Sequence, residues 1–557
     1  MKMNFLCFDT EDNSRELLQA GKSGFDKRTT QIAAITDNGD KFYNRGNVKE
    51  FLQWLSTRKE RFFYAHNLQY DLGNLFADNL DALDVIMIGG RLIRARWKNK
   101  NFVDSFNIWP MSAAMLGKAF ELEKLETDSM ATDKEYVFRD VEIIRAAMLF
   151  AWQFCEQLEI KYLPATLGGL CVKVWKSLGG ENCHDSNKLS RQAYYGGRVE
   201  LFKVRNESDS ICYTDINSLY PFVMQQSFPG VLHDCGKKLL DFGVAKVTVK
   251  VTRDAIQTLP FRNKDGRVLF PSGKFTGVWT VAELREAEKH GATIQAVHET
   301  LGTNESLRPY GAYVAKLYQA RLESKNAAEK LFWKLLLNNL YGRLGSSGVI
   351  TRSIWQTEKN KFDGVPYGEK ILASYQMPLS EETNWSHAAY VTAYARIELA
   401  KYLRLIGSDN LIYCDTDSTI FDCPARKIPF EVGTVLGQMK LESWETSCQT
   451  YAPKLYQIGN TYKAKGVPKH LAKTFIETRQ AQFEIPFKLR ESILFYDART
   501  PSEVVINGRS LPTNRARNSK KLSVWRKVTK EMRSEYDKKR LIGNRYFPCN
   551  VNAVEPY

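Results

Sequence analysis

Acidic residues in short, regular spacings are the part of this sequence most able to do chemistry. Asp9 and Glu11 stand two apart in NFLCFDTED. The apolar run before them reads as a strand, which puts both carboxylates on one face. Paired acids at a strand end hold divalent cations through oxygen ligands. YAHNLQYDL adds Asn67, Tyr70 and Asp71. Tyr136 and Asp140 are four apart, a spacing that places a phenol and a carboxylate on one helical face. Asp9, Glu11, Asp71 and Asp140 are together enough for two metals. One would activate a water and the other stabilise a leaving 3′-oxygen in phosphodiester hydrolysis, with Tyr136 orienting the water. Taken singly, Asp71 and Asp140 would read as caps or surface charges; taken in this order they read as a site.

A second set is built around Asp215, at the end of the strand-like ICYTDI, and Asp415 and Asp417 in LIYCDTDSTIF. Two acids at i and i+2 interrupt apolar β-formers, and burying such charges costs several kcal/mol unless cations compensate. A solvated hairpin turn is the bland alternative. The conflict between pattern and charge favours a two-metal site for in-line phosphoryl transfer. In KLFWKLLLNNLYGRLG, residues Lys330, Lys334, Asn338 and Tyr341 are spaced 4, 4 and 3 and form one helical stripe. Two lysines a turn apart can neutralise a triphosphate and its leaving pyrophosphate. Asn338 and Tyr341 would face the base or sugar, with Gly342 allowing close backbone approach. An amphipathic helix with a solvated lysine edge would look similar, but Leu331, Leu335, Leu336, Leu337 and Leu340 already supply the apolar face.

The elements that must carry these residues follow from changes of pattern. Residues 4–9 open an α/β unit as a buried strand and 141–158 close it as a long helix. The polar stretch 180–197 reads as a connector, and 211–216 as a strand opening a second mixed unit. Residues 310–344 read as one long helical pattern, 345–386 as a loop-rich polar insertion, and 387–422 as helix then strand. The length of 557 residues suggests three or four units. A hydrophobic share of 43% with 25% charged residues excludes a disordered chain, a collagen-like chain and a small disulfide scaffold. Ten scattered cysteines with no C-x-x-C pair argue against structural zinc. No signal-peptide pattern and no bilayer-length apolar run occur, so the expectation is a soluble intracellular protein without a membrane partner. The formal charge of +16 points to a polyanionic partner, and 511–557 holds 12 Lys/Arg against 4 Asp/Glu, a local +8.

In this order the motifs resemble those of family B DNA polymerases with an N-terminal 3′–5′ exonuclease. They look most like the protein-primed branch of small phages with linear genomes and of linear plasmids. DTE with Asp9 and Glu11, NLQYD with Asn67, Tyr70 and Asp71, and YVFRD with Tyr136 and Asp140 match the exonuclease motifs. DINSLYP from Asp215, KLLLNNLYG from Lys334, and YCDTDS with Asp415 and Asp417 match the three polymerase motifs. YYGG, with Tyr194, Gly196 and Gly197, resembles the connector motif that touches the template. KLY, with Lys454 and Tyr456, resembles the primer-terminus motif, and the segment at Ser105 and Phe106 the one contacting single-stranded DNA.

The resemblance implies an α/β and α+β multidomain fold. It places a ribonuclease H-like exonuclease domain over 1–165, a connector over 166–205, palm over 206–310 and 387–470, and fingers over 311–345. A polar insertion over 346–386 would serve strand displacement and processivity by encircling downstream DNA, and 471–557 would be the thumb; a second insertion within 236–310 stays open. The implied activity is template-directed nucleotidyl transfer with proofreading. Mg²⁺, two ions per active site with Mn²⁺ as the alternative, would be held by Asp215, Asp415 and Asp417 for synthesis. Asp9, Glu11, Asp71 and Asp140 would hold it for degradation. Lys330 and Lys334 would bind the triphosphate, Tyr341 would pack on the nascent base pair, and Tyr220 would sit beneath the sugar and exclude a 2′-hydroxyl. The implied partners are template-primer DNA, dNTPs, a terminal protein primer and a single-stranded DNA-binding protein, for a monomer in the cytoplasm. Two positions depart from the pattern: Asn339 stands where Ser is usual, and Asp12, where Thr is common, adds negative charge beside the expected single-strand path. A lysine that assists exonucleolysis corresponds to Lys118 or Lys124. Oligonucleotide priming, and a nuclease-only or inactive DNA-binding paralogue, are the alternatives.

Overall fold

The computed structural model describes residues 4–13, 28–76, 79–126, 133–181, 183–203, 205–252, 256–263, 266–355, 364–367 and 370–486, with 503–506, 509–512, 525–532, 540–541 and 547–548 beyond them. Three sheets position everything that follows.

The first sheet has ten strands. In spatial order they are Gly364–Tyr367, Lys370–Gln376, Val349–Trp355, Asp84–Ile88, Arg91–Trp97, Lys100–Asp104, Phe62–Ala65, Phe5–Asp12, Thr29–Thr36 and Lys41–Asn44. The strand Phe5–Asp12 runs parallel to Phe62–Ala65 and antiparallel to Thr29–Thr36. Its alternation feeds two cores. Phe5 and Cys7 pack with Val137, Ile144 and Trp152 of the helix Lys134–Gln157, and Leu6 and Phe8 pack with Phe51, Leu68 and Leu72 on the other face. Both faces are covered, so the run is apolar throughout until the acids begin. The helix expected over 141–158 spans Lys134–Gln157, because Asp133 caps it by accepting from the backbone N–H groups of Glu135 and Tyr136.

Three strands of this sheet come from the segment expected to be a loop-rich insertion. Val349–Trp355 pairs antiparallel with Asp84–Ile88, placing Thr351 opposite Met87 and Arg352 opposite Ile86. VITRSIW and KILASYQ are rich in β-formers. The polar residues between them, 356–363 and 368–369, lie outside the described set.

The second sheet has seven strands, ordered Thr461–Ala464, Leu455–Ile458, Met439–Ala452, Arg205–Ile216, Ser418–Asp422, Leu411–Asp415 and Val199–Leu201. One face packs on helices Leu167–Ser177, Gly311–Leu322, Ala327–Leu344 and Trp385–Ile406 through Cys212, Ile216, Cys414 and Phe421. The single helical pattern expected over 310–344 is therefore two helices. Asn326 caps the second by accepting from Glu329 N, and Glu329 reaches back to Lys325 N, a reciprocal cap that separates the two. The connector contains the short helix Lys188–Ala193. The strands His233–Asp234, Ala292–Thr303, Phe242–Val251 and Gly273–Thr280 form the third sheet, which shares a core of Val247, Val249, Trp279 and Leu284 with the helix Val281–Lys289.

The expected thumb lies largely outside the described residues, as does most of the basic stretch 511–557; its described part includes helix Ala472–Thr478 and the pair Gln480–Pro486 with Trp525–Glu531. Among the described residues no helix is long and apolar enough to cross a membrane.

Candidate active sites

Asp9 and Glu11 leave the first sheet on one face, and Asp140 reaches them from the helix Lys134–Gln157. Ligand oxygens of these three all lie within 4.8 Å of one another. Burial, then the charges of Asp71, Glu11 and Asp140, push the Asp9 carboxyl well above the usual carboxylate range. Burial also raises Asp140, against an ion pair with Lys124. The Lys124 ammonium also stands 4.6 Å from the centre of the Tyr136 ring. Of the two lysines considered from sequence, the structure brings Lys124 to the acids, and Lys118 is exposed on the helix Ala113–Ala119.

Asp71 stands outside the group of three, bound through Oδ1 to the backbone N–H and hydroxyl of Thr10. Asp71 Oδ2 and Asp140 Oδ1 are buried and accept no hydrogen bond. An all-oxygen donor set with mutually repelling charges and unmet acceptors fits hard divalent cations.

The residues expected to hold single-stranded DNA are arranged less uniformly. Asn67 is in the left-handed region, φ 68°, and its N–H donates to Asp104 Oδ1 at 3.0 Å. The same oxygen accepts from Phe106 N at 3.0 Å. Phe106 is half-buried, with the Arg91 guanidinium 5.3 Å from its ring centre. Ser105 points inward: it is 1% exposed, its hydroxyl donates to Ala65 O and it contacts His66 Nδ1. Tyr70 shares a hydrogen bond with the side chain of Asp12, so the unusual acid is occupied by an aromatic neighbour.

The second set converges on a cleft of about 810 Å³, lined by Asp215, Asp415, Thr416, Asp417, Lys454 and Tyr456 among others. Asp215 ends the central strand of the second sheet, opposite Ser418 on one side and Lys440 on the other. Asp415 and Asp417 flank a tight turn in which Thr416 has φ 63° and Asp417 N donates to Asp415 O at 2.7 Å. Burial, then Asp417 and Glu442, push Asp215 up to about 7. Burial, with a contribution from Asp415, pushes Asp417 up to about 6. Lys454 Nζ lies 3.2 Å from Asp415 Oδ1, and Tyr456 packs its ring 5.2 Å from Tyr413.

The helix Ala327–Leu344 brings a positive charge within reach of the cleft acids. Lys330 and Lys334 are exposed, and the charge of Lys334 acts on both Asp215 and Asp417. Asn338 donates to Lys334 O and Asn339 to Leu335 O, each closing onto its own helix. Tyr341 stacks on Tyr220, ring centres 4.3 Å apart at 24°.

The connector lies directly against the second set of acids. Val199 pairs with Asp415, and Thr416 N donates to Arg198 O at 2.7 Å. A Cβ on Gly197 would lie 2.7 Å from Thr416 Oγ1. Arg396 Nη1 donates to the carbonyls of Gly196 and Tyr195 and pairs with Glu283 inside the protein. Tyr194 packs against Gly345. Thr10, Glu442, Arg396 and Glu283 were not singled out from sequence. For Arg396 a signal existed, a cation set in the apolar stretch AAYVTAYARIELA of the helix Trp385–Ile406; for Thr10 and Glu442 none did, because their neighbours are set by docking.

Comparison with known proteins fits this arrangement. A family model described as DNA polymerase type B, organellar and viral, matches residues 127–419. A probable DNA polymerase of Podospora anserina is 30% identical over 342 residues, covering 50% of this chain and 28% of that protein. The chain thus spans little more than a quarter of that relative's length. The DNA-directed DNA polymerase of Enterobacteria phage PRD1 is 24% identical over 441 residues, covering 74% of this chain and 76% of that one. The crystal structure of phi29 DNA polymerase aligns with a TM-score of 0.72 at 17% identity, over 96% of this chain and 100% of that one. That likeness shows the fold, a multidomain chain with an exonuclease domain and a palm, fingers and thumb.

Proposed function

The chain belongs to the organellar and viral type B DNA polymerases, and we propose that it is a DNA-directed DNA polymerase with a 3′–5′ proofreading exonuclease, primed by a terminal protein and able to displace strands. The observation that carries the two activities, synthesis and proofreading, is the pair of separate acid sites. One, with Asp215, Asp415 and Asp417, lines a cleft under the charge of Lys334. The other, with Asp9, Glu11 and Asp140, sits on a different sheet beside Lys124.

In this reading residues 1–165 are the exonuclease, 166–205 the connector, 206–310 and 387–470 the palm, 311–345 the fingers, 346–386 the insertion and 471–557 the thumb. Mg²⁺ held by the acids supplies charge neutralisation at the reacting phosphate and a lowered pKa for the attacking hydroxyl or water. Lys330 and Lys334 bind the triphosphate and so offset the charge that builds on the leaving pyrophosphate. Lys454 and Tyr456 hold the primer strand, which requires the Lys454 amine to leave Asp415. Tyr194, Gly196 and Gly197 contact the template, while Asn67, Tyr70 and Phe106 guide a frayed 3′ end to Asp9, with Tyr136 placing the water. A single-stranded DNA-binding protein would protect the displaced strand.

The two activities should separate. Asp417→Ala is expected to lower primer extension at least about a hundred-fold, some 3 kcal/mol of transition-state stabilisation, while single-strand 3′ degradation persists. Asp9→Ala with Glu11→Ala should do the reverse. Loss of both activities in either folded variant would refute the assignment. Protein priming has its own assay, incubation with the cognate terminal protein and one labelled dNTP. A labelled protein adduct is expected; robust oligonucleotide extension with no adduct would assign the enzyme to ordinary priming.

A further inference from the structure

Asp71 is 1% exposed, and its two oxygens are held differently. Oδ1 accepts the Thr10 backbone N–H at 3.0 Å and the Thr10 hydroxyl at 2.8 Å. Oδ2 is buried and accepts nothing. Thr10 lies between Asp9 and Glu11 on the strand, so its side chain leaves on the opposite face, where it is fully buried. A hydroxyl has a single proton to donate. Asn74, one helical turn beyond Asp71, decides where that proton goes: its Nδ2 donates to Thr10 Oγ1 at 2.9 Å, which leaves the Thr10 proton for Asp71. Thr29 Oγ1 anchors this part of the helix by donating to the Asn74 backbone carbonyl at 3.2 Å. Asp71 is also the neighbouring charge that acts most strongly on Asp9.

We propose that Thr10 and Asn74 are positioning residues that orient Asp71, occupying Oδ1 so that Oδ2 remains the oxygen offered to a divalent cation. The proposal rests on the exonuclease reading above. Neither residue carries charge or belongs to the acid cluster, so their substitution changes the orientation of a ligand and not the number of ligands. Groups that orient metal ligands in this way typically carry a ten- to hundred-fold effect on metal affinity.

The test is Mn²⁺ binding to the full chain, followed by electron paramagnetic resonance, with the sites lost in Asp9→Ala plus Glu11→Ala defining the share of this cluster. Thr10→Val, which keeps the shape and removes the hydroxyl, should weaken that share about ten-fold. Thr10→Ser should restore it, and Asn74→Ala should weaken it several-fold. Degradation of single-stranded DNA should then need correspondingly more Mn²⁺ for half its maximal rate, with the saturated rate and primer extension near wild type. Wild-type Mn²⁺ affinity in folded Thr10→Val, or in Asn74→Ala should the valine variant not fold, overturns the proposal. A wild-type chain that binds Mn²⁺ at these sites without degrading DNA would overturn the exonuclease reading instead, and the affinity differences among the variants would still decide the positioning role.

Discussion

Tyr220 and Tyr341 stack on each other, 4.3 Å between ring centres, and the charge of Asp417 acts on both phenols. A gating role for Tyr220 would set its ring against the sugar of a nucleotide held above Asp215. Tyr220→Val removes most of that wall and is expected to raise ribonucleotide incorporation by roughly ten- to a hundred-fold, the usual worth of a steric contact in a pocket. The stack itself contributes only about 0.5–1.5 kcal/mol, so the variant should fold; unchanged discrimination in a folded variant would refute a gating role. At this scale much was legible in the sequence. Asp9, Glu11, Asp140, Asp215, Asp415 and Asp417 declare themselves because charges set in apolar strands or on one helix face have few other uses. Pairwise contacts were not legible. Whether Lys118 or Lys124 meets Asp140 depends on how the residues that follow the helix Ala113–Ala119 lie against the helix Lys134–Gln157, and Ser105 turns inward because His66 and Ala65 wait there.

Elements far apart in the chain meet at the edge of the first sheet, where Val349–Trp355 continues the ladder of Asp84–Ile88. Side chains seal the seam: Val85 N donates to Ser353 Oγ at 2.7 Å, and the nearly buried Lys370 Nζ donates to Asp84 Oδ1 at 2.8 Å and to Leu83 O. Leu372 enters the core beside Phe8 and Leu83. Asp84 keeps Arg96 at 3.0 Å when Lys370 is lost, so Lys370→Ala should cost the seam about 1–3 kcal/mol without leaving a bare charge. Amide exchange should quicken across 84–88 and 349–355 and stay unchanged at 411–422. If the hairpin serves strand displacement, extension on nicked duplex should fall while extension on a single-stranded template is kept; unchanged exchange at the seam would sink this. The strands of the hairpin could be read from VITRSIW and KILASYQ, but their partner could not. Register between an insertion and a strand some 260 residues earlier is set by tertiary packing, and the polar residues between the strands disguised a hairpin as a loop.

Across the whole molecule, both sites hold acids whose folded forms grip protons more tightly than the unfolded chain does. Asp215 is pushed up to about 7 by burial, then by Asp417 and Glu442, with Lys334 and Lys440 in opposition. Asp417 is pushed up to about 6, and Asp9 is raised as well. A carboxyl raised on folding stabilises the protein fully below its unfolded pKa, and that stabilisation is lost as pH rises through the folded value. His66 and the buried His387, held down to about 4, act in the opposite sense, but only as pH falls through the ordinary histidine range. Between pH 6.5 and 8 the acids therefore dominate, and the metal-free chain should melt at progressively lower temperature. Binding of Mg²⁺ to the ionised acids reverses this, because a ligand bound only by the folded state stabilises it by mass action. The rise in melting temperature on adding excess Mg²⁺ should be larger at pH 8 than at pH 6.5. Asp215→Asn should melt above wild type at pH 8 in chelator and gain less from Mg²⁺. An Asp215→Asn variant that melts below wild type in chelator at pH 8 would mean that the Lys334 and Lys440 charges, and not the neighbouring acids, govern that carboxylate.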